Sequence, residues 1–85
     1  MKTFTYVITD PLGLHARPAG LLVKAAAGYS SAVTVSTDAG KADAKRIMAV
    51  MRLAAKQGMT LTVTCEGADE EAAAAGLLEF MEKNL

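Results

Sequence analysis

Alternating apolar and polar residues predict four short strands. Residues 4–9 are rich in β-branched and aromatic side chains, and residues 32–37 alternate apolar with hydroxyl side chains. Residues 59–65 alternate strictly and give the clearest strand in the chain. Turn residues at 38–41 predict a hairpin, with a short return strand through residues 42–43.

Apolar residues at helical spacing predict a first helix that ends near Ala27, with Gly28 at its C-cap position. Local sequence preferences predict that this helix begins at Pro18, because proline is favoured at the first helical position. Arg17, the residue before the proline, then lies just outside the helix. Lys24 falls off the apolar stripe, whose members are Ala19, Leu22 and Ala26.

A second helix is predicted from about Arg46, with its end marked by Gly58. Its apolar residues are too many for one buried stripe: Ile47, Met48, Val50, Met51 and Leu53. Two interpretations stay open. Either all five pack in the core, or Val50 and Leu53 point inward while the others cluster on a neighbouring face.

The last helix is predicted to begin after Asp69, a capping residue, with Glu70 and Glu71 matching the helix dipole in the first turn. Its expected buried stripe consists of Ala74, Leu77, Leu78 and Met81. The resulting order, β-α-β-β-α-β-α, favours an α+β fold. We therefore expect a single domain over residues 1–85, a two-layer open-faced sandwich with an antiparallel sheet and helices on one face.

Charge balances over the chain, at nine basic and nine acidic residues, so nothing in the composition points to nucleic acid. Its distribution is uneven: residues 1–65 carry eight Lys or Arg against three Asp or Glu, whereas residues 66–85 carry one against six. Two interpretations are open. The positive charge of residues 1–65 favours binding of acidic or phosphorylated partners, or the chain simply ends in an acidic, solvated helix.

The lone Cys65 excludes an internal disulfide and fits a reducing compartment, and its place in a strand predicts a small buried hydrophobe. No apolar run approaches the roughly 20 residues that a membrane span needs. The first residues lack the apolar core of a signal peptide. We expect a cytoplasmic monomer without membrane insertion.

Candidate chemistry lies between the first strand and the first helix, where the only histidine of the chain, His15, is followed by Arg17. Unpaired N–H groups and the helix dipole make a helix N-terminus favourable for a phosphate. An imidazole is a nucleophile near neutral pH, and a guanidinium can meet two phosphoryl oxygens at once. These parts suit a phosphoryl site, although a histidine at a helix start is more often a cap or a packed surface residue.

Residues 13–19, GLHARPA, resemble the active-site signature of HPr, the histidine-containing phosphocarrier of the bacterial sugar phosphotransferase system. The resemblance continues through residues 45–53, KRIMAVMRL, and residues 66–70, EGADE, and it covers essentially the whole chain. It implies the strand order 1-4-2-3, and a first helix that begins near Ala16 with His15 as its cap.

The resemblance also implies a function. His15, through Nδ1, takes a phosphoryl group from phosphoenzyme I and passes it to enzyme IIA. Arg17 and the backbone amides of Ala16 and Arg17 steady the phosphoryl oxygens. Such a protein is a covalent intermediate in a relay and not an enzyme, and it requires no metal or cofactor. The implied docking surface has an apolar centre, formed by Ile47, Met48 and Met51, and a basic rim, formed by Arg17, Lys24, Lys45, Arg46 and Arg52.

Two residues depart from the family pattern. Arg46 stands where many relatives of Gram-positive type carry a regulatory serine, so no regulatory serine is expected at that position. Leu12 stands where many relatives carry a hydroxyl or amide that can contact the phosphoryl group. An alternative function is a regulatory interaction module, or a specialised or nitrogen-branch paralogue, that signals to regulatory proteins by its phosphorylation state. The absence of the serine at Arg46 argues against the best-known regulatory route.

Overall fold

The strands predicted from the alternating segments pair into one antiparallel sheet in the order β1-β4-β2-β3. The computed structural model describes residues 1–85 throughout. Its elements are β1 (Lys2–Val7), α1 (Ala16–Ala27), β2 (Ala32–Thr37), β3 (Gly40–Asp43), α2 (Ile47–Arg52), β4 (Thr60–Glu66) and α3 (Glu70–Asn84). The α+β class, the element order and the implied strand order 1-4-2-3 are all confirmed.

Alternation gives the sheet one apolar face and one hydroxyl face. Val35 lies opposite Val63 on the neighbouring strand, and both are fully buried. The next position along pairs Thr34 with Thr64 on the other face. That outer face is rich in hydroxyl groups, from Thr3, Thr5, Thr34, Ser36, Thr62 and Thr64. Threonine combines a strand-favouring β-branch with a hydroxyl that water can solvate, so this face needs no covering layer.

The helices supply the other half of the core. The stripe predicted for α1 is confirmed, because Ala19, Leu22 and Ala26 are fully buried. Of the stripe predicted for α3, Leu77 and Met81 are buried, but Ala73 takes the place expected for Ala74. Ala74 and Leu78 are only partly buried. The buried residues of α3 are therefore spaced i, i+4 and i+8. The predicted stripe is rotated about the helix axis relative to this observed buried face.

The first helix begins at Ala16, as the family resemblance implies, and the local prediction of a start at Pro18 is wrong by two residues. Pro18 is the third helical residue, still within the first turn, where no N–H has an acceptor to lose. Two strands are shifted from their predicted segments, since β1 ends at Val7 and not at residue 9, and β4 lies one residue later than residues 59–65. β1 begins at Lys2 because Lys2 pairs with Cys65, and β4 runs from Thr60 to Glu66.

The second helix is much shorter than predicted, since it ends at Arg52 and not near Gly58. Leu53 is the C-cap, and Ala54 takes a left-handed backbone conformation with φ 49°. That conformation stops the helix and turns Ala55 inward, where it is buried. The segment between α2 and β4 is therefore a loop that is anchored by the buried Leu53 and Ala55.

Cys65 is fully buried, as predicted, in the middle of the sheet. Burial raises the pKa of the Cys65 thiol, and the nearby carboxylates of Asp69 and Glu70 raise it further. A buried, protonated thiol is a poor nucleophile, so this cysteine contributes packing and not reactivity.

Asp69 occupies the predicted N-cap position of α3, but its side chain makes no capping hydrogen bond to that helix. Its carboxylate accepts hydrogen bonds from the backbone N–H groups of Ser30, at 2.8 Å, and Ser31, at 2.9 Å. The hydroxyl of Ser31 also donates to it. Asp69 thus ties the start of α3 to the loop between α1 and β2, and local capping rules could not reveal this distant partner.

Three hydrogen bonds to a carboxylate favour its ionised form. The Ser31 hydroxyl makes the largest contribution, and with the backbone N–H of Ser30 it holds the pKa of Asp69 at about 2. Stability from this group is fully present above the ordinary aspartate pKa of 3.8 and is lost as pH falls through about 2.

We therefore expect Asp69→Asn to lower the melting temperature at pH 7, because an amide offers one acceptor oxygen and places an NH2 group against N–H donors. The variant should also lose less additional stability than the parent between about pH 4 and pH 2. Thermal unfolding followed by circular dichroism across this range measures both effects. Asp38→Asn, in the exposed β2–β3 turn, is the matched control. Parallel pH profiles for the parent and Asp69→Asn would contradict the assignment.

Candidate functional site

The site begins with a close backbone contact between the loop before α1 and the loop after α2. Gly13 has φ +67°, and a Cβ atom there would lie 2.5 Å from the carbonyl oxygen of Ala55 and 2.7 Å from Cα of Lys56. The N–H of the next residue, Leu14, donates to the same Ala55 oxygen at 2.9 Å. Only glycine permits this approach, which places residue 15 at the edge of the domain.

His15 is the N-cap residue of α1, with extended backbone angles of φ −88° and ψ −176°. Its backbone groups are occupied, since its N–H donates to the Gly13 oxygen at 3.1 Å and its carbonyl accepts from Ala19 at 2.9 Å. The half-buried imidazole makes no capping bond to its own helix. The imidazole nitrogens are therefore not engaged in holding the helix start.

The amides that follow His15 are free to bind an anion. The N–H groups of Ala16 and Arg17 have no acceptor within the protein, Pro18 has no N–H, and no acidic residue stands in the first turn of α1. The exposed Arg17 guanidinium makes no ion pair. The geometry thus brings together an imidazole, two unpaired amides, a helix dipole and a free guanidinium, a combination suited to a phosphoryl group.

A cavity of about 310 Å³ opens beside the imidazole. The residues that line it come from three parts of the chain: Asp10, His15, Arg17, Pro18, Leu21, Lys83 and Asn84. Sequence reasoning found His15 and Arg17 and missed Asp10, Leu21, Lys83 and Asn84. Local pattern could not place residue 83 beside residue 15. One signal was available, because Lys83 is the only cation in an otherwise acidic segment, residues 66–85.

The last turn of α3 reaches this cavity because Leu85 is anchored next to it. Its main-chain oxygen accepts hydrogen bonds from the N–H groups of Thr9, at 2.7 Å, and Asp10, at 2.8 Å. The Thr9 hydroxyl donates to the same oxygen at 2.7 Å. Since the Leu85 residue is also buried, the end of α3 and the loop before His15 form one packed unit.

The structure decides between the two interpretations of α2. Val50 and Leu53 are buried, whereas Ile47 and Met51 are each 40% exposed and Met48 is 64% exposed. This exposure excludes the interpretation in which all five apolar residues pack in the core. A Cβ on Gly20 of α1 would lie 3.6 Å from Cδ1 of Ile47, so α2 packs beside the helix that His15 begins.

The basic residues predicted for the rim differ in solvent exposure and in their hydrogen bonds. Lys24, Arg46 and Arg52 are exposed, and Arg46 is the N-cap residue of α2. Lys45 is half-buried, and its ammonium group donates to the carbonyl of Tyr29 at 2.8 Å. Lys45 therefore also stabilises the chain just after α1. Leu12 is 73% exposed, and its N–H donates to Oδ1 of Asp10 at 2.8 Å.

No group of three or more His, Cys, Asp or Glu side chains is arranged to hold a metal ion. None of the three helices has both the length and the apolar character needed to cross a membrane.

Proteins similar to this chain include several phosphocarriers. Residues 2–83 match the PTS-HPr family, described as the PTS HPr component phosphorylation site. The phosphocarrier protein HPr of Lysinibacillus sphaericus is 48% identical over 73 residues, which cover 86% of this chain and 83% of the relative. That of Mycoplasma capricolum is 38% identical over 81 residues, covering 95% of this chain and 91% of the relative.

Solved structures agree. A histidine-containing phosphocarrier protein of Mycoplasma superposes with a TM-score of 0.93 at 36% identity, covering 96% of this chain and 93% of the neighbour. HPr of Thermoanaerobacter tengcongensis gives 0.92 at 42% identity, with 98% and 93% covered. This chain therefore belongs to the HPr family, the phosphocarrier proteins of the bacterial phosphotransferase system. Members of that family are carriers and not catalysts.

The close approach at Gly13 generates a stability prediction. We expect Gly13→Ala to lower the free energy of unfolding by more than Gly58→Ala. Both glycines have positive φ, +67° and +87°, but a Cβ at Gly58 meets nothing within 4 Å. Gly58→Ala, the control, should lower the free energy of unfolding by about 1–2 kcal/mol, because alanine is strained in a left-handed backbone conformation. Gly13→Ala should lower it by more, because the loop at residues 13–14 must also separate from Ala55. Urea unfolding measures both, and equal losses would show that the contact is not tight.

Proposed function

We propose that His15 is the residue that carries the phosphoryl group, accepting it from phosphoenzyme I and passing it to enzyme IIA. The observation that carries this proposal is the position of the imidazole at the N-terminus of α1, beside two unpaired amides and a guanidinium without an ion-pair partner. Membership of the HPr family supports the same role.

In the transfer, the lone pair on Nδ1 of His15 forms a bond to phosphorus as the bond between phosphorus and the donor breaks. The reverse exchange delivers the group to the acceptor. Phosphoryl transfer passes through a loose transition state whose charge is spread over three equatorial oxygens, so positioning and charge stabilisation do most of the work.

The N–H groups of Ala16 and Arg17 and the Arg17 guanidinium are the charge-stabilising groups in this proposal. The amides point along the helix axis and require no rearrangement, because no protein acceptor occupies them. The exposed guanidinium can meet two phosphoryl oxygens in its planar fork. The Leu12 side chain has no polar group, so residue 12 contributes no side-chain contact to the phosphoryl group.

We further propose that donor and acceptor dock on an apolar centre formed by Ile47, Met48 and Met51. The exposure of these residues supports this, as does the contact of α2 with α1 at Gly20. In this proposal the basic rim is formed by the exposed cations Arg17, Lys24, Arg46 and Arg52 together with Lys45, whose ammonium group is bound to the Tyr29 carbonyl. A basic rim accelerates encounter with acidic partners, and flexible methionines adapt to more than one surface.

A regulatory module is the second candidate function. One solved neighbour favours it: the catabolite repression protein Crh of Bacillus subtilis, a swapped dimer, gives a TM-score of 0.77 at 34% identity, with 94% of this chain and 92% of the neighbour covered. The exposed Arg46 at the start of α2 has no hydroxyl to phosphorylate, which weighs against regulation at that position. In this second candidate the signal is the phosphorylation state of His15.

The carrier proposal predicts a single acid-labile phosphate on His15 when the protein is incubated with phosphoenolpyruvate, magnesium and enzyme I. Intact mass and phosphorus NMR detect it. His15→Ala should abolish labelling, because the chain has no other histidine, and should leave the circular dichroism spectrum unchanged, because the side chain makes no capping bond. A normal labelled yield from His15→Ala would refute the proposal. Transfer onward to an enzyme IIA distinguishes a carrier from a purely regulatory module.

The docking proposal predicts that Met48→Asp and Met51→Asp each weaken enzyme I binding by at least about tenfold, since a carboxylate would replace an apolar contact at the centre of the interface. Calorimetric titration measures the affinity. Ala75→Asp, on the exposed face of α3, is the matched control and should bind normally. Phosphoramidate labelling of His15 in both methionine variants shows that the nucleophile is intact. Unchanged affinity in both variants would place docking elsewhere.

A further inference from the structure

We propose that Lys83, in the last turn of α3, is a second cationic contact for the phosphoryl group on His15. This inference rests on the proposed role of His15 and adds a residue from the opposite end of the chain to that site. No local motif places this residue there, because 68 positions separate His15 from Lys83.

Geometry is the first support. Lys83 lines the same cavity of about 310 Å³ as His15 and Arg17. The anchoring of Leu85 to Thr9 and Asp10 holds the last turn of α3 against the loop that leads to His15. Lysine has a flexible four-carbon stem, so a side chain based in this turn can follow the phosphoryl group within the cavity.

Charge is the second support. The charged groups that line the cavity are Asp10, Arg17 and Lys83. Asp10 and the carbonyl end of the α3 dipole both oppose a phosphoryl dianion, and Arg17 and the α1 dipole favour it. Lys83 is the only cation in residues 66–85, and it lies where the negative end of α3 meets the site.

Lys83 is paired with Glu79 one turn earlier, with its ammonium group 2.8 Å from Oε1. The hydrogen bond to Glu79 raises the pKa of Lys83, so the group is charged at neutral pH. Both side chains are about two-thirds exposed, at 69% and 66%, and an exposed pair of this kind is weak. A phosphate monoester group carries about −1.5 to −2 charges at pH 7 against −1 for a carboxylate, and a phosphoryl group on His15 of similar charge can draw the ammonium away from Glu79.

Exchange of partner by Lys83 therefore stabilises the phosphorylated form over the free form. The free protein keeps Lys83 on Glu79, and the phosphorylated protein moves it toward His15. Glu79 competes for the ammonium group, so removing its charge should strengthen the contact.

The test labels His15 with phosphoramidate, a small phosphoryl donor that needs no partner protein. An imidazole nitrogen of His15 forms the bond to phosphorus, the phosphorus–nitrogen bond of the donor breaks, and ammonia leaves. The pH titration of the phosphorus NMR shift then follows two ionisations of the phosphohistidine, that of the phosphoryl group and that of the free imidazole nitrogen, and a nearby cation favours the deprotonated form of both. The titratable groups that face the phosphoryl group are that imidazole nitrogen, Asp10, Arg17, Lys83 and, behind Lys83, Glu79.

We expect Lys83→Gln to move the titration midpoint upward by about half a unit, the shift that the loss of one partly solvated cation within a few ångströms should produce. Lys83→Arg should restore the parental midpoint, because it keeps the charge. Glu79→Gln should move it downward. Lys41→Gln, which removes a cation from the exposed edge strand β3, should leave it unchanged. The shift in Lys83→Gln should shrink at high ionic strength.

An unchanged midpoint in Lys83→Gln, with His15 labelled normally, would overturn this inference and leave the proposed function standing. An equal shift in Lys41→Gln would also overturn it, because the effect would then belong to net charge. Absence of label on His15 from both phosphoramidate and enzyme I would overturn the proposed function, and this inference with it.

Discussion

The position of His15 depends on two stretches of backbone that meet with no side chain between them. Gly13 lies against the carbonyl of Ala55, and the N–H of Leu14 donates to that same oxygen. The contact requires a residue without Cβ on one side and, on the other, a chain that has left the helical conformation at Ala54. The short length of α2 and the start of α1 at Ala16 are thus two consequences of one contact.

Sequence pattern was sufficient for the elements whose burial repeats locally. The strict alternation of residues 59–65 predicted β4, which lies in the interior of the sheet, and the spacing of Ala19, Leu22 and Ala26 predicted the buried face of α1. Both interpretations of α2 placed Val50 and Leu53 inward, and both residues are buried. In each case the apolar period matches the period of the secondary structure, so the information lies within a few residues.

Features set by distant contacts were predicted poorly. Just beyond the end of α2, the Ala55 carbonyl accepts a hydrogen bond from the N–H of Leu14, about 40 residues away in sequence, and helix propensity could not reveal this contact. Asp69 has the sequence context of a helix cap, yet its carboxylate binds the loop at Ser30 and Ser31. His15 and Arg17 could be singled out because one compact motif contains both. Lys83 and Asn84, which line the same cavity, were missed because only the folded chain brings α3 to it.

Both ends of α3 are tied to loops that belong to other elements. Asp69 holds its beginning to the loop before β2, and Leu85 holds its end to the loop before His15. A helix held in this way cannot fray from its last turn without breaking the wall of the cavity, and its buried face of Ala73, Leu77 and Met81 lies against the sheet. Opening of the cavity wall at α3 therefore requires the contacts of Leu85 with Thr9 and Asp10 to break together with the last helical turn. The same few bonds thus couple the integrity of the helix end to that of the site.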